Sequence, residues 1–336
     1  MRNEAGVKNN SELISAVVTS YNHAEYLDQR MESLLNQTYP NLEIVVVDDC
    51  STDGSAEVLT KYRKLPNVTI ILLEQNQGYA NTSNLGVSLC RGEYIIFAEC
   101  DDYSEPEQIE LLYAALSRHD SAAAAFSRST MVDEAGRITG DDFSFRDPEF
   151  RLHCSSDALI EAKLMRRFLM FSCVIPNMSA AMFRKRSFER IGGLSSSFMA
   201  CADWDFWCRM AEEDDFFYVT RPLNNFRSHS TTVRNTYNIS MYLSEIYEIT
   251  FKTYCNSNLQ FSDRIRFKYN MGVIWASYLS APLGWLAALP RVWLLTLKYE
   301  PLLIIYMFYA ASIKVAFNLT KFYRRVGCTK VTSENH

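Results

Sequence analysis

Five short apolar runs alternate with stretches of helical spacing over the first 127 residues, and this alternation constrains the fold more than any other feature of the chain. The runs are Leu13–Val18, Leu42–Val47, Val68–Leu73, Tyr94–Ala98 and Ala122–Phe126; the helical stretches are Tyr26–Asn36, Ser55–Lys64, Tyr79–Cys90 and Pro106–Arg118. Strand and helix in strict turn predict a mainly parallel α/β sheet covered on both faces. The runs are nearly continuous in Val, Ile and Leu, as strands buried on both faces require. Past residue 127 the alternation weakens. Met131–Ile138 with its Asp133–Gly136 turn predicts a hairpin, and residues 141–155 an irregular loop. A helix over Asp157–Leu169, a strand-like Ala180–Phe183, a helix around Trp204–Glu212 and a last strand before Arg227-Ser228-His229 complete this part.

A length of 336 residues suits one large domain plus an appendage. The expected parts are a polar tail (1–12), a catalytic domain (13–230, divided into 13–105 and 106–230) and a helical region (231–336). Charge separates them. Residues 1–230 carry 22 basic and 34 acidic side chains, whereas residues 231–336 carry 12 basic and 5 acidic ones. A basic, aromatic, apolar tail points to an anionic surface, and a phospholipid membrane fits it best. Nucleic acid does not fit, because the basic residues are scattered through apolar segments. Tyr269–Pro290 has no formal charge and the length of a membrane span, but Asn270, Pro282 and its glycines favour interfacial helices or ordinary packing. Tryptophans at 275, 285 and 293, and Lys314 to Arg325 after a second apolar run, are the expected membrane anchors. Nine cysteines without a CxxC pair read as reduced structural thiols, and the polar start MRNEAGVKNN lacks a signal peptide. The expectation is a protein on the cytoplasmic side of a membrane, peripheral rather than spanning.

In an open parallel sheet, ligands bind at the carboxyl ends of the strands. Those ends are unusually polar here: Thr19-Ser20-Tyr21-Asn22, Asp48-Asp49-Cys50-Ser51, Glu74-Gln75-Asn76-Gln77-Gly78 and Glu99-Cys100-Asp101-Asp102. So acidic a crevice accepts a phosphorylated ligand only with a divalent cation between the charges. Glu99 and Asp101 alternate along an extended segment, with Asp102 beside them, and supply hard oxygen ligands. Helix capping is the competing use of such a pair. Ser104 or Glu105 is available to cap the Pro106 helix instead.

These pieces resemble the family 2 glycosyltransferases, enzymes with the GT-A fold, of the bacterial polysaccharide and O-antigen type. The matching text is Val17-Val18-Thr19-Ser20-Tyr21-Asn22, Leu34-Leu35-Asn36-Gln37-Thr38-Tyr39-Pro40 and Val47-Asp48-Asp49-Cys50-Ser51-Thr52-Asp53-Gly54-Ser55. It continues through Asn76-Gln77-Gly78, Asn84-Leu85-Gly86, Gly92-Glu93-Tyr94-Ile95, Glu99-Cys100-Asp101-Asp102, Arg184, Gly192-Gly193-Leu194 and Ala202-Asp203-Trp204-Asp205. The resemblance implies a nucleotide-sugar donor bound by Thr19, Tyr21, Asn22, Asp49, Asn76, Gly78 and Asp101. It implies Mg²⁺ or Mn²⁺ on Asp102, Asp101 and Glu99, with His229 approaching the metal or diphosphate. Asp203 matches the base that takes the acceptor's proton, with inversion at the anomeric carbon. Trp204 and Asp205 are acceptor-side candidates, against packing or a local charge as their commoner uses.

Three positions depart from the pattern: Glu99 stands for the usual Asp, Ala202 for the usual Glu before the base, and Ser83 where a basic residue is common. No Q-x-x-R-W segment follows Asp203, so a single transfer per encounter, to a lipid-linked saccharide, is expected. Two other readings stay open. A nucleotidyltransferase would carry a glycine-rich basic loop, which Thr19–Ala24 lacks, and a catalytically silent sugar-nucleotide binder is suggested by Ala202.

Overall fold

The computed structural model describes residues 12–229, 239–278 and 289–313. The chain divides into two compact units between residues 236 and 237. The boundary expected at residue 230 and almost all of the polar tail therefore lie outside the described residues.

The first unit is built on a sheet of ten strands. β1 (Ile14–Ser20), β2 (Leu42–Asp48), β3 (Val68–Leu72) and β4 (Tyr94–Phe97) are the expected parallel strands, in spatial order β3-β2-β1-β4. Next come β9 (Ala181–Arg184), β6 (Ala122–Val132), β10 (Asp215–Arg227) and β5 (Tyr103–Ser104). β9 runs antiparallel to both β4 and β6, while β6 and β10 are parallel to each other. β7 (Ile138–Asp141) closes the expected hairpin on β6, and β8 (Ala158–Ile160) pairs antiparallel with β10. The sheet is thus mixed rather than mainly parallel, because short strands from the second half add themselves antiparallel. Its geometry still gathers one set of ends: β1 to β4, β6 and β10 all point the same way, and β9 begins at that edge.

Period-two alternation gives each strand two buried faces. Ala16 and Val18 of β1 join a core with Leu27, Met31 and Leu34 of α1 (Ala24–Leu35) and Ile109, Leu112 and Leu116 of α4 (Gln108–Arg118). On the other face Val17 meets α3 (Tyr79–Leu89) at Gly86, where an added Cβ would fall 2.4 Å from Val17 Cγ1. Only glycine lets helix and strand approach so closely. α2 (Ser55–Thr60) packs on α1.

Local contacts move several expected boundaries. α4 starts at Gln108 with no side-chain cap; Ser104 lies in β5, where its hydroxyl accepts a 2.8 Å bond from Arg30. Neither Ser104 nor Glu105 therefore caps this helix. The helix expected over Asp157–Leu169 becomes β8 followed by α6 (Ala162–Phe171), because the Asp157 carboxylate accepts bonds of 2.9 and 2.7 Å from Thr220 on β10. The loop over 141–155 contains α5 (Pro148–His153), begun by Asp147 accepting from the Glu149 N–H at 2.9 Å. α7 (Lys185–Arg190) follows β9, and α8 (Ala202–Met210) precedes β10.

The second unit comprises α9 (Ile239–Cys255), α10 (Phe261–Tyr278), α11 (Leu289–Tyr299) and a further helix over residues 303–313. Tyr254 stacks on Phe267 at 4.3 Å between ring centroids, and the Tyr247 hydroxyl donates to the Met271 carbonyl at 2.9 Å. Trp275 is buried, so it is a packing residue and not an exposed anchor. Among the described residues no helix is long and apolar enough to cross a membrane. Residues 279–288 of the charge-free run, Trp285 and Lys314 to Arg325 lie outside the described residues.

At the edge opposite the gathered strand ends, Glu43 is buried and accepts from the Ser15 hydroxyl at 2.6 Å and from Arg91 N–H and Nε at 2.6 and 2.8 Å. Burial alone would raise its carboxyl, but the bonds from Ser15 and Arg91 hold it below its ordinary value. A lowered carboxyl contributes stability that is present above the unfolded value, about 4.3, and is lost as pH falls through the folded one. Glu43→Gln should therefore lower unfolding free energy at pH 7 by about 1–3 kcal/mol. In urea titrations the gap from the parent protein should shrink below about pH 4.

Candidate active site

The turn after β1 and the loops after β2 and β3 form one interlocked unit. Asn22 adopts φ 55° and Cys50 φ 64°, left-handed conformations that cost little for asparagine. The Asn22 side chain accepts the Thr52 N–H at 2.8 Å, and its own N–H donates to Ser51 Oγ at 2.9 Å. Asp49 is buried; its two carboxylate oxygens accept the Gln77 and Gly78 N–H groups at 2.7 and 2.9 Å. Asn76 donates to the Asp49 carbonyl at 3.3 Å. Gly78 sits at φ 81° and ψ 158°, a conformation essentially reserved for glycine. Thr19 is half-buried at the end of β1, and the Tyr21 ring is 48% exposed. The structure thus brings together the sequence-predicted nucleotide residues Thr19, Tyr21, Asn22, Asp49, Asn76 and Gly78.

The acidic segment after β4 divides by direction. Asp102 is 1% exposed and turns inward; one oxygen accepts the Arg227 N–H at 3.0 Å and the other is bonded by the Asn177 amide. Burial, reinforced by the neighbouring Asp101 charge, pushes its carboxyl up to about 7. Asp102 is therefore a floor beneath the crevice, whereas Asp101 faces His229, with Asp101 Oδ2 and His229 Nε2 3.0 Å apart. Burial alone would raise Asp101, but the His229 bond and the adjacent His23 hold it below its ordinary value. The backbone of Glu99 is fixed by Ser179 Oγ, which accepts its N–H at 3.0 Å, and by Arg30, which donates to its carbonyl at 2.9 Å.

His23 is the residue that sequence reasoning missed. It lies one position beyond the Asn22 turn, and one ligand atom from each of His23, Asp101 and His229 falls within 4.8 Å of the others. Its signal was present in the chain, as a histidine directly after a polar strand end. No sequence distance, however, links residues 23, 101 and 229. Two imidazoles and a carboxylate in that arrangement are a donor set that suits a divalent transition ion.

α8 is almost wholly enclosed; of its nine residues only Asp203 and Arg209 are not buried. Trp204 donates its indole N–H to the Leu169 carbonyl at 2.8 Å, and buried Asp205 accepts from Arg209 at 2.7 Å. Both face the interior, so packing accounts for them and neither presents a surface to a sugar. Trp207 is likewise buried, 4.7 Å from Phe206 between ring centroids. Asp203 sits in the first turn, where Oδ1 accepts the Trp204 N–H at 2.7 Å. Burial pushes the Tyr79 hydroxyl well above its ordinary value, and the charges of Glu99, Asp203 and Asp101 push it in the same direction. The Glu99–Asp101 segment and Asp203, far apart in the chain, thus both lie near enough to Tyr79 for their charges to act on its hydroxyl.

Beneath them runs a buried polar chain. Asn224 donates to Asn177 Oδ1 and Ser129 Oγ, each at 3.3 Å, and the Ser129 N–H donates to Asp142 at 2.6 Å. Arg146 bonds Asp142 at 3.0 Å and the Cys173 carbonyl at 2.7 Å.

A cation that balances this acidic edge is Arg30, wholly buried, with bonds to Glu99 and Ser104 and an attraction to Asp102. Arg30→Leu removes that cation, leaves the buried Asp102 carboxylate without its counter-charge and should cost about 3–5 kcal/mol in urea unfolding. Adding Asp102→Asn should recover part of the loss.

Residues 15–192, just over half of the chain, match the family model described as Glycosyl transferase family 2. Chondroitin synthase of Escherichia coli is 28% identical over 210 residues, which are 62% of this chain and 28% of that protein. The chain spans less than half the length of the curated relatives of this kind. The crystal structure of S. aureus TarS 1–349 in complex with UDP-GlcNAc is similar with a TM-score of 0.68 at 18% identity, covering 92% of both chains. The mannosyltransferase PcManGT from Pyrobaculum calidifontis, in complex with GDP-Man and Mn²⁺, gives 0.52 at 16% identity, covering 91% of this chain and 86% of that one. Those likenesses establish a GT-A-like α/β fold. With the strand-end motifs and the matched family model, they lead to one conclusion: the chain belongs to glycosyl transferase family 2.

Proposed function

We propose that the chain is an inverting, non-processive glycosyltransferase that moves one sugar per encounter from a UDP-linked donor to a lipid-linked saccharide during cell-surface polysaccharide synthesis. The observation that carries this reading is the meeting of Asp101 and His229, 3.0 Å apart, at the edge where the Asp49 loop lies, with the Asp203 charge acting on the same Tyr79 side chain as those of Glu99 and Asp101. A base and the carboxylates suited to a diphosphate then share one crevice. UDP-GlcNAc in the TarS fragment supports the donor class, and the name of the chondroitin synthase supports the product class.

In this reading Thr19, Tyr21 and Asp49 border the nucleobase, while Asn22, Asn76 and Gly78 shape its pocket. A divalent cation held by Asp101 and His229, Mg²⁺ or Mn²⁺, would offset the charge of the departing diphosphate. Glu99 borders it, and Asp102 supports the segment from below. Asp203 takes the proton of the acceptor hydroxyl. That oxygen bonds to the anomeric carbon as the bond to the phosphate oxygen breaks, and the electron pair leaves on the nucleoside diphosphate. Attack opposite the leaving group inverts the centre. A silent binder is the rival reading, favoured by Ala202, which puts no carboxylate next to the base.

The second unit supports membrane association by a different surface from the tryptophans. Leu294 and Leu297 on α11, and Leu302, Ile305, Phe308, Tyr309 and Ile313 at and along the helix over 303–313, are exposed. Their three- and four-residue spacings form apolar stripes suited to the interface of an anionic bilayer. The protein would then work peripherally on the cytoplasmic face, and nucleic acid is not a partner.

Asp203→Asn should leave calorimetric binding of UDP with Mn²⁺ nearly unchanged while transfer falls about a hundredfold to ten-thousandfold. Transfer within a few fold of the parent would remove Asp203 as the base; no turnover by the parent with any acceptor would favour the silent binder. In flotation assays the full chain should rise with anionic vesicles and less with neutral ones. A triple variant, Leu297→Glu, Ile305→Glu and Phe308→Glu, should remain in the lower fraction.

A further inference from the structure

We propose that His23 is a third protein ligand of the cation site, making a set of one carboxylate and two imidazoles that selects a transition-metal ion over Mg²⁺. The inference rests on the reading that Asp101 and His229 hold a divalent cation, and it adds both a residue and a metal class to it.

The geometry carries the assignment. Ligand atoms of His23, Asp101 and His229 lie within 4.8 Å of one another, and the two imidazole rings meet edge to face with centroids 5.2 Å apart. The Asp101 and His229 atoms are 3.0 Å apart, close enough for one ion to bridge them at the usual bond lengths of about 2.0–2.2 Å. The three residues follow the ends of β1, β4 and β10, strands that all point toward this edge.

A helix-capping role does not explain His23. It occupies the position before α1, yet its side chain makes no cap bond there. Asp53 does that work, accepting the Ala24 N–H at 2.9 Å. The Asn22 turn, pinned by Ser51 and Thr52, instead delivers the imidazole beside Asp101. Arg227 delivers the other imidazole: its N–H bonds Asp102 at 3.0 Å and its Nε bonds the Asp101 carbonyl at 2.8 Å, two residues before His229.

Ligand chemistry then sets the ion. Mg²⁺ prefers oxygen ligands and sheds water reluctantly, whereas imidazole nitrogen suits later first-row ions, with affinity rising from Mn²⁺ to Co²⁺. An all-oxygen site would show a weaker bias of the same sign.

The test uses the full chain with metal alone. Co²⁺ binding is followed by visible absorption, and Mn²⁺ and Mg²⁺ by competition against it, for the parent, His23→Asn, His229→Asn and Asp101→Asn. Asparagine is a favoured residue before a helix, so His23→Asn keeps that role while removing the imidazole. The expected result is Co²⁺ and Mn²⁺ affinity above that for Mg²⁺, and a loss of about tenfold or more in Co²⁺ affinity for His23→Asn. Proton NMR of the Co²⁺-loaded parent should show two paramagnetically shifted imidazole N–H signals, a readout that needs no variant to fold. Co²⁺ affinity and spectrum unchanged in His23→Asn but lost in His229→Asn, with one shifted signal in the parent, would overturn the His23 assignment alone. Unchanged binding in all three variants would overturn the cation site itself.

Discussion

The buried guanidinium of Arg30 is a main support of the acidic edge of the sheet. Several carboxylates at adjoining strand ends repel one another and lose hydration when the core closes beneath them. Arg30 answers this from α1 by binding the Glu99 carbonyl and Ser104, close to the Asp101 and Asp102 charges. The segment after β4 can therefore turn sharply, one acid going down and its neighbour going out. With the cation missing, Asp102 would have burial and the Asp101 charge against it, and only its hydrogen bonds from Asn177, Ser179 and the Arg227 backbone in its favour.

That division explains what the sequence could and could not reveal. The order of apolar runs disclosed β1 to β4 and the helices between them, because a buried strand must be apolar and a strand end need not be. The same strand ends pointed to Thr19, Asp49 and Asp101 as candidates. Asp101 and Asp102, however, are adjacent acids with identical chemistry, and only the contacts of Asn177 and Arg227 decide which is inward. Trp204 shows the same limit. Its spacing from Trp207 is compatible with a sugar platform or with packing, and the Leu169 carbonyl decides for packing.

The second half of the sheet was harder to foresee for a different reason. β5, β8 and β9 are short and gain their identity from partners far along the chain. β8 is held by the Thr220 bonds to Asp157, a link that no local pattern encodes. His23 belongs with these: its neighbours in the fold are 78 and 206 positions away in the chain, so spacing carries no trace of the cluster.

The polar chain under the crevice has a consequence for how such a scaffold could diversify. Asp102, Asn177, Asn224, Ser129, Asp142 and Arg146 connect the floor of the acidic segment to the loop beyond β7 and to the Cys173 carbonyl. Loops on a rigid sheet are ordinarily exchangeable parts. Here the graft junction is not the loop's two ends but the Asp142–Arg146 pair within it. A transplanted loop that keeps those two side chains leaves the internal wiring intact, and one that omits them removes the partners of the Ser129 N–H and the Cys173 carbonyl at once.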